Sequence, residues 1–374
     1  MKIAIIGCGF VADYYMQSLA DYPWLELEAV CDRDQSRLEQ FCSYHGLSSK
    51  KCSIEEILSD ETIRLVVNLT NPDEHYELTK ILLQGNKNVY SEKPLAMNYN
   101  DALELYEISR DRNLILACAP CSILGETAQT IWRALESKKF GDVKLVYAEI
   151  DDGLVHRMPY RQWISDSGAP WPYKDEFEVG CTLEHAGYYV GWLTAYFGPA
   201  ISVNTFAACL YPDKEIKEPL TKISADFSVA CITFRSGVVA RLTCSIIARR
   251  NQQLQFFGDR GIIEVHDAWD YHAKVSLKRY LNIKRKMLTI PVGRERLVDL
   301  GYKSSKKSKH PMKFFRGPAE IASAIQESRR PRIPPDYCLH NNEIVLAIHD
   351  GMENPGFYKV RTTFEPLEKL PLKG

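Results

Sequence analysis

The run Gly7-Cys8-Gly9-Phe10-Val11-Ala12 places small residues at the spacing G-x-G-x-x-A. Each has a task if the turn receives a diphosphate. Gly7 permits a tight turn, Gly9 lets the main chain approach the phosphates, and Ala12 lets the next helix pack closely on the strand. The helix start then offers free N–H groups and a positive dipole end, with Phe10 and Val11 at its opening. Asp32 lies about twenty residues further on, where a ribose would be read. Its carboxylate accepts from ribose hydroxyls and repels a 2′-phosphate, which favours NAD. Arg33 beside it suits that phosphate, so NADP stays open. Lys93 stands between Glu92 and Pro94. A free lysine is too basic to take a proton near neutral pH. Burial and a neighbouring nicotinamide cation would lower its pKa into the working range.

These residues need elements to hold them. The first part of the chain alternates strand and helix patterns. Strands are expected at residues 2–6, 25–31, 65–69, 89–91 and 114–118. Helices are expected at 10–19, 35–44, 73–84 and 99–109. Such alternation predicts a parallel sheet covered on both faces, the Rossmann arrangement. A domain boundary is expected after residue 121, giving 1–121 for the dinucleotide and 122–374 for substrate binding and assembly.

Further motifs sharpen this reading. Thr70-Asn71-Pro72 is followed by His75, and Ser91-Glu92-Lys93-Pro94-Leu95-Ala96 comes next. Cys118-Ala-Pro-Cys-Ser-Ile-Leu-Gly125 with Gln129, Gly258-Asp-Arg-Gly261, Arg316-Gly317 and His340-Asn-Asn-Glu343 follow in order. Together with the glycine turn, they resemble the Gfo/Idh/MocA oxidoreductases along nearly the whole chain. The resemblance implies a Rossmann domain followed by an α/β domain with a large open, mostly antiparallel sheet. It implies cofactor contacts at Gly7, Gly9, Phe10, Val11, Asp32, Arg33, Thr70, Asn71, Pro72, His75, Glu92 and Lys93. Lys93 would be the catalytic acid/base. A homodimer or homotetramer is implied, because the open sheet face needs covering.

Many relatives carry D-x-G-x-H on a helix of the second domain. The matching stretch here is Gly180-Cys-Thr-Leu-Glu184-His185-Ala-Gly-Tyr188-Tyr189. Counting back from Gly198-Pro199 puts Glu184 at the Asp position and Tyr188 at the His position. Four residues apart on a regular helix, they would share one face. A shift of one residue selects His185 and Tyr189 instead. Residues 151–177, with Arg157 and Trp163, offer aromatic faces and charged groups suited to a sugar, or else an irregular surface loop.

Hydrophobic residues make up 45% and charged residues 25% of the 374, ordinary values for a globular chain. The net charge of −1 provides no bulk attraction to nucleic acid or an anionic membrane. No apolar run is long enough to span a bilayer. The odd count of 11 cysteines fits free thiols in a reducing cytoplasm. Cys118-Ala-Pro-Cys121 has no second pair for zinc, and Glu184-His185 has no second histidine at zinc spacing, so no metal is expected. Residues 278–313, rich in lysine and arginine, read as a solvated loop. The leading expectation is an NAD(P)-dependent dehydrogenase or reductase acting on a sugar, cyclitol or sugar derivative. Two alternatives are an NAD-retaining glycoside hydrolase working by transient oxidation and a non-catalytic dinucleotide-binding sensor.

Overall fold

A computed structural model of the chain describes residues 1–47, 50–267, 269–302 and 310–373. They form two compact units. The first comprises Met1–Cys121, Arg157–Val179 and the described part of Lys303–Asn342. The second comprises Ser122–His156, Gly180–Tyr302 and Glu343–Gly374 as far as described. The chain thus returns twice to the first unit after residue 121, where the sequence suggests a single cut.

In the first unit β1 (Lys2–Ile6), β2 (Glu26–Cys31), β3 (Ile63–Asn68), β4 (Asn88–Ser91) and β5 (Leu116–Cys118) form a parallel sheet in the order β2-β1-β3-β4-β5. Its strands are short apolar runs. Ile3, Ala4, Ile5, Leu65, Val66, Val67 and Val89 are fully buried, as strands covered on both faces require. Helices α1 (Phe10–Leu19), α2 (Gln35–His45), α3 (Ile54–Ser59), α4 (His75–Gln84) and α5 (Tyr99–Asp111) connect them. Local chemistry sets their ends. The Asp34 side chain caps α2 by accepting from the amides of Ser36 and Arg37, and Gly46 closes it with a left-handed φ of 69°. Ser53 and Glu56 form a capping box on α3, a helix that apolar periodicity is too short to reveal. Strand order reverses at β1, with β2 added on one side and β3 on the other. The C-terminal strand ends there form the crevice where doubly wound sheets bind ligands.

The second unit begins with α6 (Glu126–Glu136) and holds a nine-stranded sheet. Its strands are β6 (Val143–Asp151), β7 (Ala200–Ala208), β8 (Phe227–Phe234), β9 (Val239–Ser245), β10 (Leu254–Gly258), β11 (Gly261–Val265), β12 (Ser276–Ile283), β13 (Lys286–Arg294) and β14 (Gly356–Lys359). The order is β13-β12-β11-β10-β6-β9-β8-β7-β14, antiparallel apart from the β6–β9 pair. Alternation along β8 buries Ser228, Ala230, Ile232 and Phe234 and leaves Cys231 exposed on the other face. Helix α8 (Gly187–Phe197) covers the buried face, with Phe197 against Phe234 and Tyr196 against Phe256. The short α7 (Tyr173–Val179) belongs to the first unit, as do α9 (Arg316–Glu327) and residues 335–342 of α10 (Pro335–His349).

One expectation is corrected. Up to Arg294 the basic stretch is not a loop: β12 and β13 pair from Ser276–Arg294 to Ile283–Lys286, and residues 295–302 are in neither helix nor strand. All nine residues of β13 are exposed; Leu288, Ile290 and Val292 do alternate with Thr289 and Pro291, a strand signal that the surrounding lysines and arginines outweigh. The lysines of residues 303–309 lie outside the described residues.

Candidate active site

The crevice in the first unit is built from the glycine turn outward. Gly7 has φ +99°, and a Cβ there would lie 2.5 Å from the main-chain carbon and oxygen of Leu69. Glycine alone fits. Gly9 begins α1, and a Cβ on it would meet nothing within 4 Å. The space above this helix start is open, and a diphosphate there would meet main chain and free amides. Asp32 follows β2. Its Oδ2 accepts from the amide of Cys8 at 2.7 Å and its Oδ1 from that of Asp34 at 2.8 Å. The carboxylate is therefore fixed beside the turn. Arg33 donates to Glu74 at 2.8 Å and is largely exposed.

Other residues escaped the sequence reading because no motif marks them. Arg37 donates from Nε to Cys8 O at 2.6 Å and from its terminal nitrogens to the main chain and hydroxyl of Ser167. Asp13, buried on α1, accepts from the Ser167 amide and hydroxyl at 3.0 and 2.8 Å and from His45 at 2.6 Å. Burial raises the Asp13 pKa, but these hydrogen bonds together outweigh it and hold the carboxyl below its ordinary value. Asn71 donates to Asp175 at 2.5 Å. Residues 157–179 are thus fastened to the dinucleotide-binding unit on both sides of the glycine turn. The aromatics of this segment pack on one another, Trp163 against Trp171 and Tyr160 against Tyr173 and Phe177. Arg157 is exposed in the same segment.

The Glu92-Lys93-Pro94 corner follows β4. Glu92 is buried, accepting from the Tyr15 hydroxyl at 2.7 Å and from the Lys93 amide at 3.0 Å. The Glu92 amide donates to Asn68 O at 2.8 Å. Asn68 in turn accepts from the amide and hydroxyl of Thr70 at 3.2 and 2.7 Å. His75 is fully buried between Pro94 O, 2.7 Å from Nδ1, and Thr70 O, 2.9 Å from Nε2. Burial pulls its pKa down against the pull of the two carbonyls. Pro72 opens the short turn that leads into α4. Thr70, Asn71, Pro72, His75, Glu92 and Lys93 thus come together at the ends of β3 and β4.

Cys118 and Cys121 are both buried. The Cys118 thiol faces Glu92 O and its amide donates to Cys338 Sγ. Burial pushes the Cys118 thiol well above its ordinary pKa, so it is a packing group and not a reactive thiolate. Among the described residues no cluster of three or more His, Cys, Asp or Glu is placed to hold a metal ion.

In the second unit the stretch ahead of α8 departs from regular helix. Thr182–Ala186 is a π-helical turn, and it holds Glu184 and His185, both buried. The wider turn breaks the four-residue spacing on which both expected pairings rest. His185 and Tyr188, three apart, meet on Trp269 with ring centroids 5.9 and 5.6 Å away. Tyr189 is fully buried, and its hydroxyl donates to Gln252 O at 2.5 Å. Trp269 and Gln252 had no signal in the sequence beyond their residue types.

A glycine turn between β1 and α1, an acidic residue after β2 and a polar crevice at the strand ends define a Rossmann dinucleotide-binding unit. Residues 1–119 match the family model described as an oxidoreductase family with an NAD-binding Rossmann fold, and residues 128–264 match that of the GFO/IDH/MocA C-terminal domain. The chain belongs to the Gfo/Idh/MocA family of NAD(P)-binding oxidoreductases. It is 26% identical over 273 residues to the trans-1,2-dihydrobenzene-1,2-diol dehydrogenase of Xenopus tropicalis, spanning 72% of this chain and 76% of that protein. An NAD-binding oxidoreductase from Klebsiella pneumoniae shares the fold at a TM-score of 0.76 with 18% identity, over 97% and 99% of the two chains. So does the WlbA dehydrogenase of Bordetella pertussis, solved with NADH and UDP-GlcNAcA, at 0.72 with 15% identity over 96% and 98%.

Proposed function

We propose that this oxidoreductase moves hydride between nicotinamide and a ring carbon bearing a hydroxyl, on a sugar, cyclitol or sugar derivative. The observation carrying this reading is the corner at β4, where a buried, doubly hydrogen-bonded Glu92 holds the main chain of Lys93. NAD, when bound, supplies the hydride acceptor. Lys93 takes the hydroxyl proton in oxidation and returns it in reduction. Glu92 fixes the lysine backbone, and His75 ties Pro94 to the Thr70 turn. Glu184, His185 and Tyr188 of the second unit orient the substrate hydroxyls. The relatives support the class: a trans-diol on a six-membered ring and a nucleotide-linked sugar both present ring-borne CH–OH groups.

NAD is the favoured dinucleotide. Asp32 lies beside the turn, Arg33 is engaged by Glu74, and Arg37 by Cys8 and Ser167. A 2′-phosphate would meet a carboxylate and no uncommitted guanidinium from these two arginines. The protein works as a homodimer or homotetramer through the open face of the nine-stranded sheet, and in the cytoplasm, where its cysteines stay reduced. The described residues contain no helix long and apolar enough to cross a membrane.

The test is a fluorescence screen for NADH and NADPH against free sugars, cyclitols, sugar phosphates, nucleotide sugars and trans-diols, with Lys93→Met in parallel. A signal that vanishes in the variant supports the reading. A protein that binds dinucleotide and cleaves a glycoside without net turnover would replace it with the NAD-retaining hydrolase.

A further inference from the structure

Among the buried side-chain donors of the second unit with no hydrogen-bond partner among the described residues are Nε2 of Gln252 and Nε1 of Trp269. Gln252 is 3% exposed. A buried N–H left unpaired is destabilising, so each such group calls for an explanation, and a bound partner supplies one. The two belong to one network. Arg250 donates to Gln252 Oε1 at 3.0 Å and its guanidinium stands over the Trp269 ring, 5.9 Å from the centroid. Asp267 accepts from the Trp269 amide at 2.8 Å and from Arg250 at 3.4 Å. Tyr189 donates to the Gln252 carbonyl, and Trp269 carries His185 and Tyr188 on its ring. The unpaired donors therefore lie around the π-helical turn.

We propose that Gln252 and Trp269 are substrate-positioning donors, each giving its N–H to an oxygen of an uncharged polyol ring. This rests on the function proposed above and adds a substrate class to it. A π-turn beside them is a device often found at functional sites. Local charge selects the class. Within the network the guanidinium of Arg250 is paired with two carboxylates, Asp152 and Asp267, at 3.9 and 3.4 Å, so the balance of these three groups is negative. A carboxylate or phosphate placed against these donors would meet repulsion, whereas hydroxyl oxygens would not.

The experiment uses full-length protein loaded with NAD, with Gln252→Leu and Trp269→Phe beside the wild type. NADH binding is measured first by fluorescence; its absence would overturn the function proposed above, separately from this inference. The polyol probes are myo-inositol and trans-1,2-cyclohexanediol, and glucuronate is the charged counterpart. Binding is read as the shift in thermal unfolding, and turnover as KM and kcat where present.

The donors are expected to raise Kd or KM for a neutral probe about tenfold or more when removed, with the kcat of any turnover moved less. Gln252→Leu also removes the oxygen that accepts from Arg250, so a small loss of thermal stability is expected for it. Unchanged probe affinity in both variants, wild-type protein that binds NADH but neither neutral probe, or tighter binding of glucuronate would overturn the proposal.

Discussion

Two regions are proposed above to carry the chemistry, and they hold their groups differently. The corner at the end of β4 is held by hydrogen bonds, with Glu92 between the Tyr15 hydroxyl and the Lys93 amide and His75 between two carbonyls. The π-helical turn ahead of α8 adjoins an aromatic wall, with His185 on the turn and Tyr188 at the start of α8 both edge-on to Trp269. Directional bonds fix a reacting group within tenths of an ångström, as proton and hydride transfer require. Ring packing fixes the shape of a wall. The first region suits a step common to every substrate, and the second suits choice among substrates.

The largest expected effect breaks the comparison at its first member. Lys93→Met should lower kcat about 10²–10⁴-fold on every substrate alike while NADH affinity, measured by fluorescence titration, moves only a few-fold. A variant whose loss differed strongly between substrates would put selection, and not the common step, at Lys93.

The glycine turn sharpens the contrast within one motif. Gly7→Ala drives a Cβ to 2.5 Å from the Leu69 main chain at φ +99°, and backbone cannot yield as a side-chain tip can. Its expected cost in urea unfolding is on the order of 3 kcal/mol. Gly9→Ala meets nothing within 4 Å in the protein, so it should unfold like the wild type. It should nonetheless lose about tenfold or more in NADH affinity, because its methyl occupies the diphosphate's place. Equal stability losses in the two variants would refute this division.

The same contrast explains what was readable in the residue order. Gly7, Gly9, Asp32 and the Thr70–His75 and Glu92–Pro94 motifs are contiguous or sit at strand ends, where regular βα geometry makes spacing equivalent to position. Glu184 and His185 lie on a π-helical turn and Tyr188 and Tyr189 on α8 beyond it, so the rule for pairs four apart on a regular helix does not carry across the junction. Asp13, Arg37, Ser167, Gln252 and Trp269 meet only through tertiary folding, and no local pattern announces them. The β12–β13 hairpin was hidden for another reason: its lysines and arginines read as a solvated loop and outweigh the alternation of Leu288, Ile290 and Val292.

His75 gives a smaller effect with a definite sign. Burial holds its pKa below the ordinary 6.5. Between those values the unfolded chain binds the proton and the folded one does not. The folded state is therefore favoured above about pH 6.5, and this advantage fades as pH falls below it. His75→Asn should flatten the dependence. The gap in urea stability between pH 7.5 and 5.5 should shrink relative to the wild type. An unchanged gap would mean that burial and the two carbonyls cancel at this ring, and a wider one that the carbonyls keep it protonated in the fold.

The smallest effect concerns Arg33. Its partner Glu74 and the arginine itself are 49% and 77% exposed, and such pairs add little to stability. Arg33→Ala should leave the urea midpoint where it is. The cofactor preference is the informative readout. If Asp32, held by the Cys8 amide, is what repels the 2′-phosphate, the ratio of NAD to NADP affinity changes little in Arg33→Ala and collapses in Asp32→Ser. If NADP binding falls sharply in Arg33→Ala, the arginine leaves Glu74 for the phosphate when that cofactor arrives. The crevice would then choose its dinucleotide as the π-turn is proposed to choose its substrate, by groups that wait for the ligand.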